Sequence, residues 1–345
     1  MRNLSTFKLA TLTATSCLAL LATAVTAKDA PTLTIENFIG TIDVRTGDYD
    51  KITVTDADGA NVEQLKNGVL IDDDQTIKNT NCRKSKASIK ISVGGRNWYK
   101  RKGGYKNLNE YPQLKITAPE NTHLVIDNAV IFGDVDDIGS ADIQVRSCGD
   151  LEFANISGHL DLSAAGSGDF TAQNIQSVEI STAGSGNVKI DDIANTVSIS
   201  SAGSGDNNIG NVGGDFEYAS AGSGDLQVDN IQGNTDITTA GSGDVEIDSI
   251  EGSLSYTSAG SGNFEADYVG GEKLSSKSGG SGSVEIDGGN VTELYVKIGG
   301  SGDVRYDGQS TNAELYASGS GEITVQEPSG SLCKKKRGSG SIRIK

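Results

Sequence analysis

The chain is poor in the residues from which reactive centres are built. Of 345 residues, two are histidine, four cysteine, four proline and one tryptophan, and aromatics make up 5%. The histidines, His123 and His159, lie far apart and there is no Cys-x-x-Cys, so a zinc site or a dithiol redox centre has almost no material. So little proline argues against a coil-like linker protein, and the regular apolar positions described below argue against disorder. Positive charge is also scarce. Lys and Arg number 29 against 46 Asp and Glu, a formal net charge of −17, which speaks against general nucleic-acid binding. Beyond the first 27 residues no apolar run is long enough to span a bilayer as a helix.

The first 27 residues read as a secretory leader. Arg2 and Lys8 precede an apolar run, Leu9 to Ala24, and Val25-Thr26-Ala27 supplies small residues for cleavage after Ala27. A membrane anchor is the weaker reading, because the run is short. A lipoprotein signal at Cys17 lacks the leucine usual three residues earlier. Removing Arg2 and Lys8, and no acid, takes the formal charge from −17 to −19. The mature chain is expected in the periplasm, at the outer cell surface or outside the cell. It keeps Cys82, Cys148 and Cys333, and an oxidising compartment favours one disulfide and one leftover thiol. Cys82–Cys148 is the expected pair, since it would pin an N-terminal insertion to the first regular rung.

An internal repeat dominates what is present. Gly-Ser-Gly begins at Gly166, Gly184, Gly203, Gly222, Gly241, Gly260, Gly280, Gly300, Gly319 and Gly338, in steps of 18 to 20 residues, and an imperfect copy lies at Ser147-Cys148-Gly149-Asp150. Asp or Asn usually follows the triplet, then apolar residues at alternate positions, as in Val245-Glu246-Ile247, and another at Ile250. After a polar turn comes a second alternating stretch, such as Leu254-Ser255-Tyr256. Period two in short, β-branched segments signals strands. Two short strands cannot bury their apolar face alone, but stacked copies can.

The fold expected is therefore all-β: a single-chain parallel β-helix, right-handed, of about 19-residue rungs. Strands about 4.8 Å apart over some eleven rungs make a rod on the order of 50 Å long. Each triplet marks a corner where glycine supplies φ > 0 and room for stacking. The alanines before it, Ala183, Ala202 and Ala221, are expected to point inward. Residues 28–140 alternate less regularly and are read as N-terminal rungs and hairpins carrying a basic insertion at 82–106; residues 141–345 form the regular solenoid. The basic run Lys334–Arg337 discourages edge-to-edge pairing.

Three features together resemble the bacterial auto-transporter adhesin head (GIN) domain family. They are the phrase from Leu33-Thr34-Ile35 to Ile42-Asp43-Val44, the segment Leu114-Lys115-Ile116-Thr117-Ala118-Pro119, and the Ser/Thr-Ala-Gly-Ser-Gly-Asp rungs. The resemblance covers nearly the whole mature chain and implies a secreted parallel β-helix with an adhesive role. The sequence shows no C-terminal β-barrel segment of the kind a complete auto-transporter carries, which leaves the periplasm open.

Two groups of residues are candidate sites. Asp150, Asp169, Asp206, Asp225, Asp244 and Asp303 follow the corner triplet, with Asn187 and Asn263 in the same place. Stacked carboxylates could hold calcium between rungs. The favoured alternative is a cap in which each side chain bonds locally within its own turn, because calcium β-rolls use nine-residue repeats. The second candidate is the insertion: Arg96, Trp98, Tyr99, Lys100, Arg101, Lys102 and Tyr105 could grip an anionic glycan or a lipid headgroup. Its other reading is a hairpin whose cations merely offset the acidic rod. An envelope protein is a further possible partner, and no cofactor is expected. Catalysis by a polysaccharide-active β-helix needs a non-repeating cluster in a groove, and His159, Arg305 and Tyr306 break the repeat without clustering by rung, so a non-catalytic role is expected. A flat ice-binding face is disfavoured because Lys277, Lys297 and Tyr316 interrupt the Ser/Thr row.

Overall fold

A computed structural model describes residues 30–345, apart from 76, 78, 79, 86, 87 and 94–103. The leader and six of the seven insertion candidates, Arg96, Trp98, Tyr99, Lys100, Arg101 and Lys102, lie outside the described residues.

The chain forms a parallel β-solenoid of about 12 turns, and no α-helix is present among the described residues. Each regular rung has a first strand such as Val245–Ile250 and a second such as Leu254–Ser258. First strands pair in parallel with the first strands above and below, and second strands do likewise, until Leu332–Lys336 and Ser341–Ile344 pair on one side only. Two stacks result, with one continuous core between them. Val245, Ile247, Ile250, Leu254 and Tyr256 are buried in it, while Glu246 and Asp248 are exposed. The alternation in sequence thus becomes inside and outside directly. In the earliest regular rungs the two strands merge into the long bent strands Asp150–Gly166 and Asp169–Gly184.

Core columns adjust to one another by size. Asn207 stands in the column of Val188 and Leu226 and is buried. Asn207 Nδ2 is buried there without a hydrogen-bond partner, and burial of the ring holds the Tyr218 pKa above its ordinary value.

The alanine expectation is corrected. Ala183, Ala202 and Ala221 are exposed, and the residue one step earlier turns inward, as Ser201, Thr239 and Ser258 do. The glycine expectation is corrected in part. Among the triplet glycines only Gly166, Gly184 and Gly338 take positive φ. From Gly203 to Gly319 close approach is what demands glycine: a Cβ on Gly241 would lie 1.6 Å from the carbonyl oxygen of Gly222 one rung below.

The N-terminal rungs are stacked out of sequence order. His123–Val135 supplies both strands of one turn, pairing with Thr32–Glu36 and Ile39–Gly47. Those two strands in turn stack on Gly68–Asp72 and Gln113–Pro119. The antiparallel strands Asn61–Leu65 and Thr53–Asp56 then close that end. Corners here use Asn37 and Asn128, both in the left-handed region, and Asn128 Nδ2 donates to Asn37 Oδ1 at 2.7 Å. Asparagine tolerates this conformation because its short side chain can bond locally.

The insertion forms a separate antiparallel sheet of Asn81–Ser85, Ser88–Ser92 and Lys106–Asn107. It packs on the outer face of the first-strand stack, where Ile39, Val130 and Phe132 join Ile77, Ile91 and Tyr111 in a second small core. The run Ala129-Val130-Ile131-Phe132 fails to alternate because this strand is covered on both faces. The expected disulfide forms between Cys82 and Cys148, with Cα atoms 6.2 Å apart, while Cys333 is free and exposed.

Candidate functional site

The corner column is an inter-rung hydrogen-bond ladder. Asp225 Oδ1 accepts the backbone N–H of Asp244 at 2.8 Å, and Asp244 Oδ1 accepts that of Asn263 at 2.7 Å. The same bond runs from Asp150 to Asp169, then to Asn187, Asp206 and Asp225, and again from Asp303 to Glu322. The side chain therefore satisfies the next rung's corner, which corrects the expectation of a cap closed within its own turn. Among the described residues no group of three or more His, Cys, Asp or Glu is arranged to hold a metal ion.

The outer face of the first-strand stack is acidic. Glu246, Glu265 and Glu285 stand in one column, and Asp248, Asp267 and Asp287 lie two residues further along the same strands. Arg305 ends the first column, paired with Glu285 and Asp307 and lying 3.8 Å from Asp287.

The outer face of the second-strand stack differs along its length. Toward its N-terminal end a groove of 710 Å³ is lined by His159, Glu179, Glu217 and Asp236, with Lys273 and Lys277 further along. Glu217 and Asp236 are in register on adjacent rungs, and His159 Nδ1 lies 3.1 Å from Ser177 Oγ, within hydrogen-bond distance. Further along, lysines and tyrosines replace the small residues: Lys277, Lys297, Tyr316 and Lys335 form one column, with Tyr295 beside it.

A family model described as "Putative auto-transporter adhesin, head GIN domain" matches residues 48–251 and 235–345. The chain belongs to this family. No curated protein and no solved structure matches it.

Within this adhesin-head rod the insertion keeps part of its cationic, aromatic character. Of its candidate residues only Tyr105 is described, and the Arg83 guanidinium lies 4.3 Å from its ring centroid. Lys84 reaches the start of the ladder, 2.6 Å from Asp150 and 3.5 Å from Asp169. That cation does offset acidic charge on the rod. The pairing of Tyr295 with the lysine column was not legible as a site from local sequence. Its signal was the interruption of the Ser/Thr row by Lys277, Lys297 and Tyr316, which gains meaning only when read at the rung period.

Proposed function

We propose that this adhesin-head protein is a non-catalytic rod, exported to the cell envelope, that presents a rigid binding surface to envelope components, anionic glycans first among them. The parallel register that runs from Asp150 to Ile344, with one shift between Ile156 and His159, carries the reading. It fixes outward side chains in columns about 4.8 Å apart, a lattice suited to an extended polymer. The basic insertion is the second element of this reading, with Arg96, Trp98, Tyr99, Lys100, Arg101, Lys102 and Tyr105 as its contact residues. Binding of residues 28–345 to a glycan and lipid array tests it. Signal lost on replacing Arg96, Lys100, Arg101 and Lys102 by Ala places the contact on the insertion; no signal on any surface removes the adhesive reading.

The groove holding Glu217 and Asp236 favours one competing reading. Carboxylates on adjacent rungs, about 5 Å apart, are near the separation used by retaining glycosidases. Reducing-sugar release from acidic polysaccharides, abolished by Glu217→Gln or Asp236→Asn, would replace the binding function with a catalytic one.

A further inference from the structure

We propose that the outer face of the second-strand stack between Lys273 and Arg337 is a binding site for an anionic polysaccharide. Tyr295 and Tyr316 are its ring platforms, and Lys277, Lys297 and Lys335 are its anion anchors. The inference rests on the adhesive reading above and names a ligand class and a place for it.

Register brings the residues together. Lys277 pairs with Lys297, Lys297 with Tyr316, and Tyr316 with Lys335, so residues from four rungs share one outward column. Tyr295 stands one column over, and its ring centroid is 5.6 Å from that of Tyr316. Lys277 Nζ lies 6.0 Å from the Tyr295 centroid and Lys335 Nζ lies 5.4 Å from that of Tyr316. Glu314 accepts a hydrogen bond from Tyr316 Oη at 3.0 Å and fixes that ring's tilt.

The charge distribution is the second observation. This chain has a large acidic excess. Elsewhere on the rod Arg45, Lys84, Arg305, Arg343 and Lys345 are each paired with a carboxylate, and Lys189, which also forms no ion pair, stands between Thr171 and Asn208 in its column with no second cation beside it. Among the described residues Lys277, Lys297 and Lys335 form no ion pair with an acidic side chain. Cations left unpaired on an acidic protein, and held beside aromatic faces, are free to take an anion from outside.

Access is the third. Upstream rungs carry Ala240 and Ala259 before the triplet, whereas the rungs of Lys277 and Lys297 carry Gly279 and Gly299. A Cβ at Gly279 would meet nothing closer than 3.7 Å, and one at Gly299 nothing closer than 3.8 Å. Backbone packing does not require these glycines, and their bareness clears the flank beside both lysines. Lys277 also lines the groove described above, so a polymer lying across rungs can run from that groove onto the lysine column. Tyrosine faces take the apolar side of sugar rings while the ammonium groups take carboxylate or sulfate. Lys277 and Lys297 are one rung apart and Lys335 two rungs beyond, spacings of about 5 and about 10 Å along the stack.

The test is titration of residues 28–345 with heparin, polygalacturonate and neutral dextran, by calorimetry at low and at 0.5 M salt. Three variants are compared: Lys277→Gln/Lys297→Gln/Lys335→Gln, Tyr295→Ala/Tyr316→Ala, and the insertion variant lacking Arg96, Lys100, Arg101 and Lys102. All the patch substitutions are outward-facing, and unchanged melting curves confirm that the variants fold. Binding of one or both acidic polymers, weakened at least tenfold by the lysine set and by the tyrosine set but retained by the insertion variant, is the expected result. Loss with the lysine set but not the tyrosine set overturns the ring-platform site in favour of unspecific charge attraction. Binding lost only in the insertion variant overturns this site while leaving the adhesive reading intact. No binding to any of the three polymers, or equal binding to neutral dextran, removes the anionic-polysaccharide assignment altogether.

Discussion

Gly241→Ala should damage the rod far more than its single methyl suggests. The new Cβ would sit 1.6 Å from Gly222 O and 2.7 Å from Gly222 C. Gly222 O already accepts the Ser242 N–H at 3.0 Å, and Gly241 O accepts that of Ser261 at 2.9 Å. A carbon and an oxygen need roughly 3.3 Å, as in the shortest tolerated C–H···O contacts, so the corner must open by about a third of the 4.8 Å rung spacing. Two corner hydrogen bonds go with it, about 1 kcal/mol each, and forcing an extra carbon into a close-packed site adds about 1–3 kcal/mol. The expected loss is about 3–5 kcal/mol. Because each rung touches only its neighbours, the damage is local, and amide exchange should accelerate in residues 222–262 before it does elsewhere. Gly279→Ala is the control. Its Cβ has room, and Ala259 already fills the equivalent position one rung earlier. Reduced freedom of the unfolded chain should leave that variant neutral or up to about 1 kcal/mol more stable. Urea unfolding and amide exchange decide the matter: equal stability of the two variants would refute the argument that close approach dictates the corner glycines.

Three further outcomes are expected. Asp225→Asn keeps the acceptor for the Asp244 N–H and should leave the melting temperature unchanged, whereas Asp225→Ala should cost about 1 kcal/mol; a calcium-dependent rise in melting temperature that Asp225→Asn abolishes would make the column a cation ladder instead. Cys82→Ser/Cys148→Ser removes a crosslink of sequence separation 66 and should lower the urea-derived stability by up to about 4 kcal/mol on the loop-entropy argument, with proteolysis of the insertion as an independent readout. Hydrogen bonds from Lys345 and then Arg305 hold the Asp307 carboxyl below its ordinary pKa. Its stabilising contribution is therefore complete above the unfolded carboxylate pKa and lost as pH falls through the lower folded value, so the melting-temperature gap between wild type and Arg305→Ala should be widest at neutral pH and close in acid.

Local sequence was enough for the strands, their buried faces and the rung period of the regular solenoid. Alternation such as Val245-Glu246-Ile247 assigns each side chain a face, and a period near 19 makes residue i+19 its neighbour, so the columns follow from repetition alone. The ladder column was legible in the same way, whereas the Cys82–Cys148 crosslink was expected because it would pin the insertion to the first regular rung. What failed were inferences that depended on the third dimension within one corner. Ala183, Ala202 and Ala221 point outward, and the ladder carboxylates bond the next rung, because the inter-rung hydrogen-bond direction sets the corner's rotation and no single rung contains it. The N-terminal region lacks the period, so nothing local says that Gly68–Asp72 and Gln113–Pro119 stack beneath strands that precede them both in sequence. There the apolar outer face of Val130 and Phe132, covered by the insertion, helps decide the packing. The Lys–Tyr column belongs to the same class: its members are scattered from Lys277 to Lys335 in sequence, and only parallel register gathers them into one surface.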